Sequence, residues 1–225
     1  MTDTVYQYNQ EGNIILKEKT ELLQIFPTPV LITKYVEDFK EDMKYVENLE
    51  YAEQKENKNF RSIDSYLFKH EPLKKIKNFC RESLTKYTEK VLNSKQRLVI
   101  TQCWINKNPP GAKHHEHVHP NSIASGVFFF RISSKLPPIQ FSKALQAGVK
   151  LDPVEHNNIN AEAFFHLSTP GELLLFPSNL HHGVPINESE ETRYSLSFNT
   201  FCIDVLGSEN FMTHLDIRRI IHENN

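Results

Sequence analysis

Arg97-Leu98-Val99-Ile100-Thr101-Gln102-Cys103-Trp104-Ile105-Asn106 is the stretch on which the fold turns. It follows the two-residue repeat of a strand, with Gln102, Trp104 and Asn106 on one face, and Asn108-Pro109-Pro110-Gly111 ends it. Further strands are expected at 124–132, 139–141, 164–167, 172–176 and 193–202, with no helical repeat between them. Short strands parted by turn signals, without crossover helices, argue for an antiparallel barrel or jelly roll.

Upstream of that stretch the repeat is helical. Val36, Phe39, Met43, Val46 and Leu49 form one apolar stripe. Leu73, Ile76, Cys80, Leu84, Tyr87 and Val91 form another, beginning near Pro72, a residue suited to a first helical turn. Both stripes are read as core-facing sides of supporting helices, with Cys80 a small buried hydrophobe. Residues 5–8 and 14–17 flank Gln10-Glu11-Gly12-Asn13 as a hairpin, and 23–32 reads as a proline-interrupted edge strand. Residues 143–163 lack a period and are expected as a long loop or lid, and 210–221 as a short docking helix. The whole is expected to be one domain over 1–225, mainly β with flanking helices. Strands and helices occupy 1–95, a jelly-roll core 96–202 and a tail 203–225.

Composition narrows the function. The 225 residues hold 26 Lys and Arg against 28 Asp and Glu, a net charge of −2, which is not the balance of a nucleic-acid or anionic-membrane binder. No apolar run approaches bilayer-spanning length, and the first residues lack the basic and apolar regions of a signal peptide. Three cysteines without a CxxC pair build no disulfide framework, so a reducing, cytoplasmic location is expected. The excess is in histidine: 11 residues, of which four fall within His114-His115-Glu116-His117-Val118-His119 and two are the adjacent His181-His182.

On an extended segment His117 and His119 point the same way and can present two imidazoles to one metal ion. A third from His182, at the end of the Glu172-Leu173-Leu174-Leu175-Phe176-Pro177 strand and its turn, would complete one face of an octahedron. Open positions opposite such a face are the geometry of non-haem Fe(II) oxygenases. No cysteine stands at ligand spacing for a closed zinc site. Arg193, Ser195, Ser197 and Asn199 share one strand face, and a guanidinium there suits bidentate capture of a carboxylate, with the Ser195 hydroxyl beside it.

Taken together these segments resemble the Fe(II)- and 2-oxoglutarate-dependent oxygenases, and more narrowly a family of them found in marine bacteria and their phages. The segments that match are Phe26-Pro27-Thr28-Pro29, Trp104 with Asn106, His117 to Ser122, Ser125-Gly126-Val127-Phe128-Phe129, Phe176 to Val184 and Arg193 to Asn199. The resemblance spans roughly residues 21 to 202, and the order of the motifs carries it. It implies a double-stranded β-helix, a jelly-roll, cupin-like barrel with Fe(II) at its mouth. It implies oxidative decarboxylation of 2-oxoglutarate to succinate coupled to hydroxylation of a small-molecule or peptidyl substrate by O2. His117, His119 and His182 would hold iron and Arg193 the distal carboxylate, with Ser195, Asn106 and Gln102 as further cosubstrate contacts. Trp104 is either a wall of that pocket or a core aromatic.

The chain departs from the pattern in three places. His119 stands where most of the wider superfamily has Asp, leaving iron one positive charge richer. His114-x-Glu116 and His115-x-His117 offer alternative registers, although Pro120 and the downstream Ser125-Gly126 favour 117 and 119. Phe128 and Phe129 replace a tyrosine pair. His114, His115 and His181 are read as bystanders. A cupin-like three-histidine metalloprotein that does not use 2-oxoglutarate, or a non-catalytic barrel, are the alternatives.

Overall fold

The computed structural model describes residues 2–8, 14–21, 26–143, 151–157, 159–217 and 219. Its strands are β1 (Thr2–Tyr8), β2 (Ile14–Glu21), β3 (Leu31–Lys34), β4 (Tyr51–Gln54), β5 (Asn59–Ser62), β6 (Leu98–Asn108), β7 (His114–His117), β8 (Ala124–Arg131), β9 (Ile139–Ser142), β10 (Ala163–His166), β11 (Glu172–Pro177), β12 (His181–Val184) and β13 (Arg193–Cys202). Two helices, α1 (Lys40–Glu47) and α2 (Lys74–Lys90), precede β6.

From β6 onward the chain alternates between two antiparallel sheets, except that β9 and β10 are neighbours in the smaller one. One has seven strands in the order β3-β11-β8-β13-β6-β5-β4, the other four in the order β10-β9-β12-β7. This winding is the jelly roll expected from the strand pattern. β8, β11 and β13 are buried on both faces, which is why β8 and β11 read as nearly continuous apolar runs. Phe128, Phe130, Leu173, Leu175, Leu196 and Phe198 point to the helical side, where they pack with Ile76, Cys80 and Leu84 of α2. Val127, Phe129, Leu174 and Phe176 point into the barrel and meet Ile139 and Phe141 of β9 from the smaller sheet.

Several boundaries differ from the sequence expectation for local reasons. The first helix begins at Lys40 rather than Val36, because the Asp38 carboxylate accepts the Lys40 backbone N–H at 3.0 Å and holds the preceding residues in a turn; Val36 is 87% exposed. Pro72 lies in a 3-10 turn, Glu71–Leu73, that leads into α2. Asn108 does not end its strand but is its last rung. β3 is an edge strand as expected, although it pairs only through Leu31–Lys34. The hairpin β4–β5 was not anticipated: its strands are four residues each and polar. β1 pairs with β2, and the turn expected between them lies outside the described residues. Of the loop expected over 143–163, residues 144–150 and 158 are also outside them, and β10 takes its end. Over 210–221 the structure has a 3-10 turn, Glu209–Phe211, followed by left-handed Met212; residues 218 and 220–225 lie outside the described set.

Gly126 explains the Ser125-Gly126-Val127 segment. A Cβ there would stand 2.1 Å from the ring of fully buried Phe198 on the neighbouring strand. Gly126→Ala is expected to cost about 1–3 kcal/mol by overpacking, read as a lower midpoint in urea unfolding.

Candidate metal centre

The centre begins with the pairing of two short strands. β12 lies against β7 with His182 directly opposite His117. Gly183 permits this approach, since a Cβ there would meet the His114 carbonyl oxygen at 2.9 Å. His119 lies just past β7, held by its backbone N–H to the Ser178 carbonyl at 2.9 Å. The three rings converge: centroids are 4.4 Å apart for His117 and His182, 5.0 Å for His119 and His182, and 5.1 Å for His117 and His119. Their ligand atoms lie within 4.8 Å of one another.

Hydrogen bonds set which nitrogen faces inward. His117 Nδ1 donates to the His115 carbonyl and His182 Nδ1 to the Leu180 carbonyl, each at 2.9 Å. His119 Nδ1 donates to Asn199 Oδ1 at 2.5 Å. Because carbonyl oxygens only accept, all three protons sit on Nδ1 and each Nε2 presents a bare lone pair. His117 Nε2 and His119 Nε2 are then 3.1 Å apart with no proton between them. Two lone pairs at that distance repel, and a cation bound by both reverses the sign. Nitrogens bonded to one ion at about 2.1 Å and at a right angle stand about 3 Å apart. The donor set therefore fits a divalent transition metal.

Burial keeps these imidazoles neutral, the form that binds metal. It lowers His117 to about 4 and His182 to about 3, and lowers His119 against the opposing hydrogen bond from Asn199. Phe176 and Phe141 supply the dry wall, their ring centroids 4.7 and 6.4 Å from that of His182.

Glu116 and His115 of the other registers are engaged away from the cluster. Glu116 is exposed, and its carboxylate accepts from Gln140 Nε2 at 2.6 Å and Ser142 Oγ at 2.9 Å on β9, across Gly183. His115 Nδ1 is 2.8 Å from the Asn57 amide nitrogen. His114, read as a bystander, instead lines the cleft. Its ring stacks on that of His117 at 4.7 Å and 16°, because the pairing of β7 with β12 is irregular between His182 and Val184.

The cleft runs from the histidines to Arg193 and is lined also by Trp104, Asn106, Val127, Ile139, Ser195 and Ser197. Trp104 is thus a wall, its ring 5.7 Å from that of His119 and half-buried. Arg193 is 2% exposed; its Nη1 donates to Ser195 Oγ at 3.1 Å and its guanidinium lies 5.1 Å from the Phe129 ring centre. Among the described residues no carboxylate pairs with it, and burial alone lowers it to about 10. Asn106 Nδ2 donates to Ser197 Oγ at 3.0 Å. Gln102 stands apart from this lining, its amide 3.5 Å from the Tyr66 hydroxyl. Asn199, which orients His119, shares the strand face of Arg193 and was visible in that pattern without a role attached.

These shifts carry a sign. Unfolded histidine titrates near 6.5, whereas folded His117 and His182 titrate near about 4 and 3. Below pH about 6.5 the unfolded chain takes up protons that the native one refuses, so the metal-free protein loses stability as pH falls toward 4 and none from this source above 7. Urea unfolding between pH 7.5 and 4.5 is expected to show a steeper loss for the wild type than for His182→Asn.

Residues 102–199 match the model of the family described as "Putative 2OG-Fe(II) oxygenase". No curated protein matches the chain. Among solved structures, the non-haem alpha-ketoglutarate-dependent epimerase SnoN from nogalamycin biosynthesis is 10% identical with a TM-score of 0.60, covering 79% of each chain. A Pseudomonas putida prolyl-4-hydroxylase is 14% identical with a TM-score of 0.51, covering 76% of this chain and 92% of that one. HygX from Streptomyces hygroscopicus, solved with nickel, 2-oxoglutarate and hygromycin B bound, is 12% identical with a TM-score of 0.53, covering 77% and 82%. At these identities the likeness is one of fold, and it is the double-stranded β-helix. The part of the chain that carries the three histidines and Arg193, residues 102–199, is the part that resembles the 2OG-Fe(II) oxygenase family.

Proposed function

We propose that this protein is an Fe(II)- and 2-oxoglutarate-dependent dioxygenase that hydroxylates a C–H bond of a small-molecule or peptidyl substrate. The observation that carries the reading is Arg193: a fully buried guanidinium without a carboxylate partner among the described residues, in the same cleft as three converging imidazole nitrogens. A buried, unbalanced cation is costly unless an anion joins it. A diacid that chelates metal at one end and carries a carboxylate at the other satisfies both ends of the cleft.

Bound iron supplies the redox chemistry by which 2-oxoglutarate and O2 become succinate and CO2 while one oxygen atom enters a substrate C–H bond. The chain's own part is positional. His117, His119 and His182, each fixed by its Nδ1 hydrogen bond, would hold the metal through their Nε2 atoms. Arg193 and Ser195 fix the distal carboxylate with Phe129 against the guanidinium, and Phe141 and Phe176 exclude water at the His182 end.

The all-imidazole donor set favours a second reading, a cupin-like metalloprotein that works without 2-oxoglutarate. Anaerobic addition of Fe(II) and 2-oxoglutarate separates the two. A weak visible charge-transfer band is expected, absent in His182→Ala. Arg193→Ala is expected to raise the 2-oxoglutarate concentration needed by roughly 30-fold or more, the cost of removing one partner of a buried charge pair. A band that never forms in the wild type, or an unchanged Arg193→Ala, supports the cupin-like reading.

A further inference from the structure

β6 and β13 pair without a register break from Arg193 opposite Asn108, through Ser195 opposite Asn106 and Ser197 opposite Trp104, to Asn199 opposite Gln102. Directly opposed residues project to the same face with Cβ atoms about 5 Å apart. Asn108 therefore lies on the barrel side next to Arg193, two residues beyond Asn106, which lines the cleft. It is 0% exposed. Its backbone carbonyl accepts the Asn187 amide at 3.0 Å, which ties down the strand end, but its own Nδ2 and Oδ1 have no hydrogen-bond partner. Arg193 Nε is buried and unpartnered as well. Buried polar atoms are nearly always paired, so three orphans on two facing residues call for a ligand between them.

We infer that Asn108 is a further cosubstrate-binding residue, whose carboxamide N–H donates to the distal carboxylate of 2-oxoglutarate alongside Arg193 Nε–H and the Ser195 hydroxyl. This rests on the 2-oxoglutarate reading above and deepens it. Being neutral, the amide adds a directed donor without a second charge, so one carboxylate still balances one guanidinium. Its consequence is selectivity: a ligand that lacks the distal carboxylate leaves these donors unmatched and gains nothing from them.

The test uses the 225-residue chain loaded with Ni(II), which holds ligands without turnover, and calorimetric titration with two probes. 2-Oxoglutarate spans both ends of the cleft, whereas oxalate offers the chelating end alone. Asn108→Ala is expected to weaken 2-oxoglutarate by about tenfold, the order of one hydrogen bond to a charged group, and to leave oxalate within about twofold. The isosteric Asn108→Asp places a carboxylate against a carboxylate and is expected to weaken 2-oxoglutarate more than Asn108→Ala does, again sparing oxalate. It carries the test if Asn108→Ala does not fold. Equal weakening of both probes, or 2-oxoglutarate affinity within about twofold of wild type, overturns the inference. A wild type that binds oxalate but shows no preference for 2-oxoglutarate overturns the proposed function itself, and Arg193→Ala tells the two failures apart.

Discussion

Three imidazole lone pairs aimed at one point are the constraint on which the rest of the site depends. Each ring is turned by a hydrogen bond from its far nitrogen: two to backbone carbonyls within β7 and the turn before β12, one to Asn199 on β13. Backbone acceptors cannot rotate away, so the inward orientation of His117 and His182 is as rigid as the sheet. The cost is mutual repulsion at Nε2, moderated because burial keeps the rings uncharged, and a bound cation would relieve it. Gly183 serves the same end by letting β12 approach β7 closely.

The second organising element is β13, which has two unlike faces. Leu196 and Phe198 join the core beneath α2, where fully buried Phe198 needs the missing side chain of Gly126. The opposite face carries Arg193, Ser195, Ser197 and Asn199, so one strand both orients His119 of the histidine cluster and holds the buried guanidinium. Packing on one side thereby sets the spacing of chemistry on the other. The metal end and the guanidinium end cannot drift apart without breaking the pairing of β13 with β6 and β8.

Much of this was readable from the chain. Alternation identified β6 and β13, and the two-residue spacing of His117 and His119 gave parallel imidazoles, seen as rings inclined by only 18°. The supporting helices were recognisable from their stripes, apart from ends decided by Asp38 and Pro72. β4, β5, β7 and β12 were not, because four polar or histidine-rich residues have no periodicity to detect. Asn108 looked like a strand terminator beside two prolines, although it continues the face of Trp104 and Asn106.

By itself the sequence determined the fold class, the histidine cluster as the candidate site, and the residue types that line it. Those follow from local periodicity and from the scarcity of reasons to cluster histidine. Only the tertiary structure decided which histidines converge, that Glu116 turns to Gln140 and Ser142, that His114 enters the cleft, and that Asn108 stands buried beside Arg193. Each of those depends on strand register between segments distant in sequence. A shift of one residue reverses every side chain, and nothing within a single strand specifies it.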